Sequence, residues 1–209
     1  MDYLQLLTER YPQLEPIKQE IDAAFNTIAE SFTNSGKLLI AGNGGSAADA
    51  EHIVGELMKS FVKKRGLPSG FHENLKEVDP EIAGYLIQHL QGALPAINLS
   101  GHASLNTACI NDIDGDITFA QQVYGYGKEG DAFLGISTSG NSENILYAAV
   151  TAKAKGLKVI ALTGGDGGLI KKFADISIIV PEKETYKIQE LHLPVYHCLC
   201  LMIEEYFFP

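Results

Sequence analysis

Positive charge is scarce in this chain: 16 Lys and Arg stand against 26 Asp and Glu, a formal net charge of −10 over 209 residues. A net acidic surface is repelled by phosphate backbones and anionic lipid, which argues against nucleic acid and membranes as partners. Cysteine is nearly absent too. Cys109, Cys198 and Cys200 are an odd number, and the last two are one residue apart, a spacing that does not bridge within a helix. Reduced, buried thiols are expected. No apolar run reaches the ~20 residues of a membrane-spanning helix, and residues 1–5 lack the basic-then-apolar layout of a signal peptide. A cytoplasmic location is therefore expected. What remains is an ordinary mixture, 45% hydrophobic and 20% charged, long enough for one domain (1–209) with a sizeable core.

The stretch that organises the chain runs from Ala41 to Leu57. It follows the apolar run 37–40 and reads as strand, glycine turn (Gly42, Asn43, Gly44, Gly45, Ser46) and helix. Glycines let backbone N–H groups approach a ligand, and the helix start favours anions, so the turn is a candidate anion cradle. On that helix His52 and Glu56 are four residues apart and share one face, where imidazole and carboxylate can ligate a metal or exchange protons. A surface ion pair has the same spacing.

Valine- and isoleucine-rich strands are expected at 37–41, 94–99, 131–136, 157–162 and 176–180, alternating with helices at 46–61, 103–111, 117–126, 143–155 and 185–207. That alternation implies a parallel sheet covered on both faces, an α/β fold. An amphipathic helix from about residue 16 to 34, after a short lead-in broken by Pro12 and Pro16, precedes the first strand and is a candidate for packing on a neighbouring subunit. Residues 62–91 form an insertion without a strand, with a loop at 63–70 and a helix at 79–90; its length suggests a lid or an interface element.

Ligands bind beyond the carboxyl ends of parallel strands, where the polar loops collect. The loop after the third strand holds Ser137, Thr138, Ser139, Gly140, Asn141 and Ser142, neutral donors suited to a phosphate. On the closing helix Gln189 and His197 are eight residues apart, about 80° around an ideal helix, so both can face one cavity. Pro194 is expected to kink or loosen the turn before it.

In order along the chain, these pieces resemble the sugar isomerase (SIS) fold, and within it the sedoheptulose 7-phosphate (phosphoheptose) isomerases. The matching runs are Gly42 to Ser46, His52 with Glu56, Asn111 with Asp112, Gly135 to Ser142, Leu162 to Gly168, and Ile188 to His192 with His197. The resemblance implies a three-layer, flavodoxin-like sandwich on a five-stranded parallel sheet, and a homotetramer with active sites between subunits. It further implies that Asn43, Gly44, Gly45, Ser46, Asn111 and Asp112 hold a phosphorylated sugar, with Gln189 also reaching it, and that Ser137, Thr138, Ser139 and Ser142 hold its phosphate. His52, Glu56, Gln189 and His197 would ligate one zinc ion per subunit. Glu56 would move a proton between C1 and C2, and His197 would shuttle protons on the sugar oxygens through an enediol. An aldose–ketose isomerase needs such a base, a second proton carrier and an electrophile.

Two features depart from the family pattern. An arginine commonly found one turn after the glutamate is here Ser60, with Lys63, Lys64 and Arg65 following, and the 62–91 insertion is absent from compact members. The first implies that a different cation replaces the arginine at the substrate or that substrate choice differs, and the second bears on the choice of sugar rather than on the reaction. The competing readings are an isomerase of another sugar phosphate and a non-catalytic SIS adaptor, whose relatives lose the glutamate and final histidine present here.

Overall fold

A computed structural model describes residues 2–209. Five parallel strands form one sheet in the order β2-β1-β3-β4-β5: β1 Leu38–Gly42, β2 Ala96–Asn98, β3 Ala132–Ile136, β4 Lys158–Gly164 and β5 Ile176–Val180. Register runs from Leu38 opposite Ala96 on one side to Leu38 opposite Ala132 on the other. The strands are apolar throughout because both faces are covered. Leu38 and Ile40 of β1 point into one core, and Leu39 and Ala41 into the other.

The first core lies under α1 (Tyr3–Arg10), α2 (Lys18–Thr33), α3 (Gly45–Met58) and, last in the chain, a helix over Thr185–Phe207. The insertion contributes α4 (Ser69–Val78) and α5 (Pro80–His89). The other face is covered chiefly by α7 (Thr118–Tyr126) and α8 (Glu143–Ala154), preceded by α6 (Ala103–Asp112); the closing helix is then α9. Along α9 the buried Ile188, Leu191, Val195, Leu199 and Ile203 recur at the three- and four-residue spacing of one helical stripe.

Several expectations are corrected. The lead-in is itself helical: Asp2 caps α1 by accepting from the Gln5 N–H at 2.9 Å, and a 3-10 turn at Pro12–Ile17 joins it to α2. Helix α2 buries Ile21, Ala24, Ile28 and Phe32 in this chain's own core. Helix α3 stops at Met58, three residues early, where Lys59 turns to extended backbone. Helix α4 begins in the last two residues of the expected loop, runs on through residues for which no element was expected, and buries none of its side chains. Asp79 caps α5 as its position before Pro80 suggests, accepting from Glu81 and Ile82 N–H. Helix α9 continues through Pro194, although proline withholds an N–H from the Glu190 carbonyl; its packed stripe holds it.

Helices α3 and α9 lie side by side and run the same way. Gly45 meets Gln189, His52 meets Tyr196 and His197, and the backbone after α3 meets Glu204. The insertion leaves the end of α3 and enters the start of β2, the sheet edge opposite the turn after β1.

Candidate active site

The carboxyl ends of β1 and β3 carry the two glycine- and serine-rich loops. After β1, Gly44 adopts φ +54°, and α3 begins at Gly45 with Ser46 buried. A side chain at Gly45 would run into the Gln189 amide, whose Nε2 lies 2.5 Å from where Cβ would stand. Asn43 and Asn144 exchange amide hydrogen bonds at 2.9 and 3.0 Å and join the turn to the start of α8.

After β3, the Ser137 and Ser142 hydroxyls are 3.1 Å apart, and Ser139 Oγ accepts from the Asn141 N–H. The loop is braced by the glycine turn after β4: Gly164 N–H donates to the Thr138 carbonyl at 3.1 Å and Ile170 N–H to the Gly140 carbonyl at 3.0 Å. The chain therefore presents the Ser137, Thr138, Ser139 and Ser142 hydroxyls on one rigid bend at a helix start, an arrangement suited to a phosphate.

His52 and Glu56 converge as their spacing requires, with Nε2 3.2 Å from Oε1. Lys59 Nζ lies 3.0 Å from the other carboxylate oxygen. His197 joins them from α9, its ring centroid 4.9 Å from that of His52 and nearly perpendicular to it. Burial lowers the His197 pKa and the neighbouring His52 lowers it further, against the pull of Glu56, so the ring is neutral near pH 7. Its Nε2 is buried and has no hydrogen-bond partner. His52 also borders an open cleft of about 480 Å³ lined by Ala47, Ala48, Glu51, Asn98 and Ser100. On the other side, His197 lines a groove of about 360 Å³ against Tyr3, Leu7 and Tyr11.

Among the described residues, no three His, Cys, Asp or Glu side chains are drawn together as they would be around a bound metal ion. The donor set nevertheless suits zinc: two imidazoles, one carboxylate, and a buried ring nitrogen with no protein partner. Gln189, expected to be a fourth ligand, stands at the Gly45 end of the helix pair. Asn111 and Asp112 end α6 exposed, with Asn111 Nδ2 donating to Asp112 Oδ1 at 2.7 Å.

Of the cations expected to replace the missing arginine, Arg65 is committed elsewhere. It is buried on Glu204 and caps the last carbonyls of α3. Lys63 pairs with Glu205, and the cation on Glu56 is Lys59, outside the expected set. Sequence reasoning also missed Asp49 and Tyr196, although Asp49 lies one turn before His52 on the same face. Burial raises the Asp49 pKa, opposed by the neighbouring Tyr196 hydroxyl and by His52. All three cysteines are free and buried, and burial pushes Cys198 up to about 12.

The SIS domain model matches residues 2–70 and 69–164 of the chain. A phosphoheptose isomerase of a Nitratiruptor species is 40% identical over 193 residues, 92% of this chain and 89% of that protein. A phosphoheptose isomerase of a Synechocystis species is 41% identical over 188 residues, covering 90% and 84%. Among solved structures, a phosphoheptose isomerase from Francisella tularensis superposes with a TM-score of 0.75 at 32% identity, over 97% of this chain and 95% of that one.

Proposed function

Because this chain belongs to the SIS-domain family of phosphoheptose isomerases, we propose that it interconverts sedoheptulose 7-phosphate and a glycero-manno-heptose 7-phosphate, the first step of nucleotide-activated heptose synthesis. The observation that carries the reading is that His52 touches Glu56 on its own helix and the ring of His197 on α9. The family match would not by itself require either contact.

The Ser137–Ser142 bend takes the phosphate, and the turn after β1 takes the sugar through Asn43, Gly44, Gly45 and Ser46. Asn111 and Asp112 belong to the sugar set by resemblance. Glu56 removes the proton from one of C1 and C2 and returns it to the other. Its two oxygens are already oriented by His52 and Lys59. His197, neutral and desolvated, takes a proton from one sugar oxygen and gives it to the other. His52, Glu56 and His197, with Gln189 as the fourth donor, would hold zinc, which when bound supplies the electrophile that stabilises the enediolate.

A homotetramer and a cytoplasmic location belong to the same reading. Exposed Ile110, Ile113 and Tyr124, each at least 60% accessible, give such an assembly apolar surface to bury. Among the described residues no helix is long and apolar enough to cross a membrane.

The test is turnover of sedoheptulose 7-phosphate beside arabinose 5-phosphate and fructose 6-phosphate, with metal content measured on the same sample before and after chelation. The heptulose phosphate should turn over best, with activity lost to the chelator and restored by zinc. Glu56→Gln should lower kcat by about 10²–10⁴-fold, the usual worth of a positioned base. Preference for a shorter sugar would reject the substrate, and a fully active Glu56→Gln would reject the base.

A further inference from the structure

The turn after β1 and the bend after β3 leave neighbouring strands, whose last paired residues are Gly42 and Ile136. Each is braced on its outer side. Ser100 Oγ donates to the Gly42 carbonyl at 2.8 Å from the β2 side, and the turn after β4 holds the bend through Gly164 and Ile170. Among the described residues, the Asn43–Asn144 amide pair is the one hydrogen-bonded link between residues 43–46 and residues 137–144. Asn144 stands two residues after Ser142, in the first turn of α8.

The pair is reciprocal. Asn43 Nδ2 donates to Asn144 Oδ1 at 2.9 Å, and Asn144 Nδ2 donates to Asn43 Oδ1 at 3.0 Å. Turning one amide over would set oxygen against oxygen and N–H against N–H, so neither turns without the other. Asn43 is exposed, where water competes for both bonds, and their contribution to stability is small. Their consequence is orientation. Each amide keeps one N–H and one lone pair free, so Asn43 can meet a sugar hydroxyl while Asn144 still fixes which way it faces.

We propose that Asn144 is a positioning residue that acts through Asn43, holding the turn after β1 at a fixed span and orientation from the serine bend. The proposal rests on the reading that the turn takes the sugar and the bend its phosphate, and it goes further by naming the group that ties the two together. A phosphate seated on the bend then brings its sugar to an Asn43 amide already facing it. Misplacing a substrate by ~1 Å can cost ~10²-fold in rate.

Asn144→Ala removes both bonds and puts a better helix former in α8. In the full chain with zinc supplied, kcat/KM for the sugar phosphate that wild type turns over best should fall by about 10–100-fold. Affinity for inorganic phosphate, measured by calorimetric titration, should stay within twofold of wild type, whereas a merely structural role would weaken both ligands together. A cycle of Asn43→Ala, Asn144→Ala and the double variant tests the route: the double variant should lose no more than Asn43→Ala alone. Asn144→Leu, of similar size but without the amide, should match Asn144→Ala and serves should that variant fold poorly. A kcat/KM within twofold of wild type, a matching loss of phosphate affinity, or losses that multiply in the double variant overturns the proposal. If wild type turns over none of the three sugar phosphates, the isomerase reading fails by itself, and the variants are compared by how much more tightly each binds sedoheptulose 7-phosphate than inorganic phosphate. A preference lost in Asn144→Ala then supports the positioning role, and a preference kept, or none in wild type, overturns it.

Discussion

Nε of Arg65 donates to Oε1 of Glu204 at 2.8 Å, and neither residue is more than 2% exposed. The same guanidinium donates to the carbonyls of Glu56 and Leu57, each at 2.7 Å, in the last turn of α3, where helical carbonyls lack partners of their own. Glu204 in turn accepts from the N–H groups of Phe61, Val62 and Lys63. These contacts fix the end of the helix that carries Glu56 against the helix that carries His197.

Removing one member of a buried pair strands the other charge. Arg65→Ala should therefore cost about 3–5 kcal/mol and lower the melting temperature by on the order of 10 °C for a chain of this size. Arg65→Lys should recover little, because an ammonium cannot reach Glu204 and two carbonyls with a planar fork. Thermal unfolding followed by circular dichroism measures both, and a loss under ~1 kcal/mol would show the pair to be dispensable.

This clamp also shows where sequence reading stops. The strands, their order along the chain and helix α9 at Thr185–Phe207 were legible because burial on one or two faces leaves a periodic apolar trace. Helix α4 buries nothing, so it leaves no stripe to read. Helix α1 was obscured by the two prolines that follow it, whose effect is confined to the 3-10 turn at Pro12–Ile17. At the candidate site, the His52–Glu56 pair and the serine bend are local in sequence and could be read there. Arg65 with Glu204 and His52 with Tyr196 join residues more than 130 positions apart, and no spacing rule links them. Arg65, read as a cation free to reach a substrate, proved to be a cap.

His192 gives the fold a pH dependence of its own. The ring is wholly buried on α9, and desolvation pushes its pKa down from 6.5 to about 4, with the Thr163 backbone opposing. The folded chain keeps it neutral where the unfolded chain takes up a proton. The stability at stake is thus intact above about pH 6.5 and drains as pH falls toward 4, by roughly 3 kcal/mol in all. Urea midpoints for wild type and His192→Leu between pH 7 and 4.5 should diverge in slope by about one proton. Equal slopes would place the titration on another group.

Gly140 and Gly165 separate backbone strain from loop contact. Both have positive φ, +64° and +63°. A methyl group on Gly140 would press on the Gly167 carbonyl oxygen, whereas one on Gly165 would meet nothing within 4 Å. Gly165→Ala should therefore cost only the left-handed penalty, about 1–2 kcal/mol. Gly140→Ala adds a backbone collision that pushes the serine bend away from the turn after β4. Its melting temperature should fall further than that of Gly165→Ala. Its affinity for inorganic phosphate should also drop, while that of Gly165→Ala stays near wild type, because the hydroxyls of Ser137, Thr138, Ser139 and Ser142 would no longer converge. Calorimetric titration with phosphate makes the comparison, and equal affinities in the two variants would show that anion binding does not depend on the bracing of this bend.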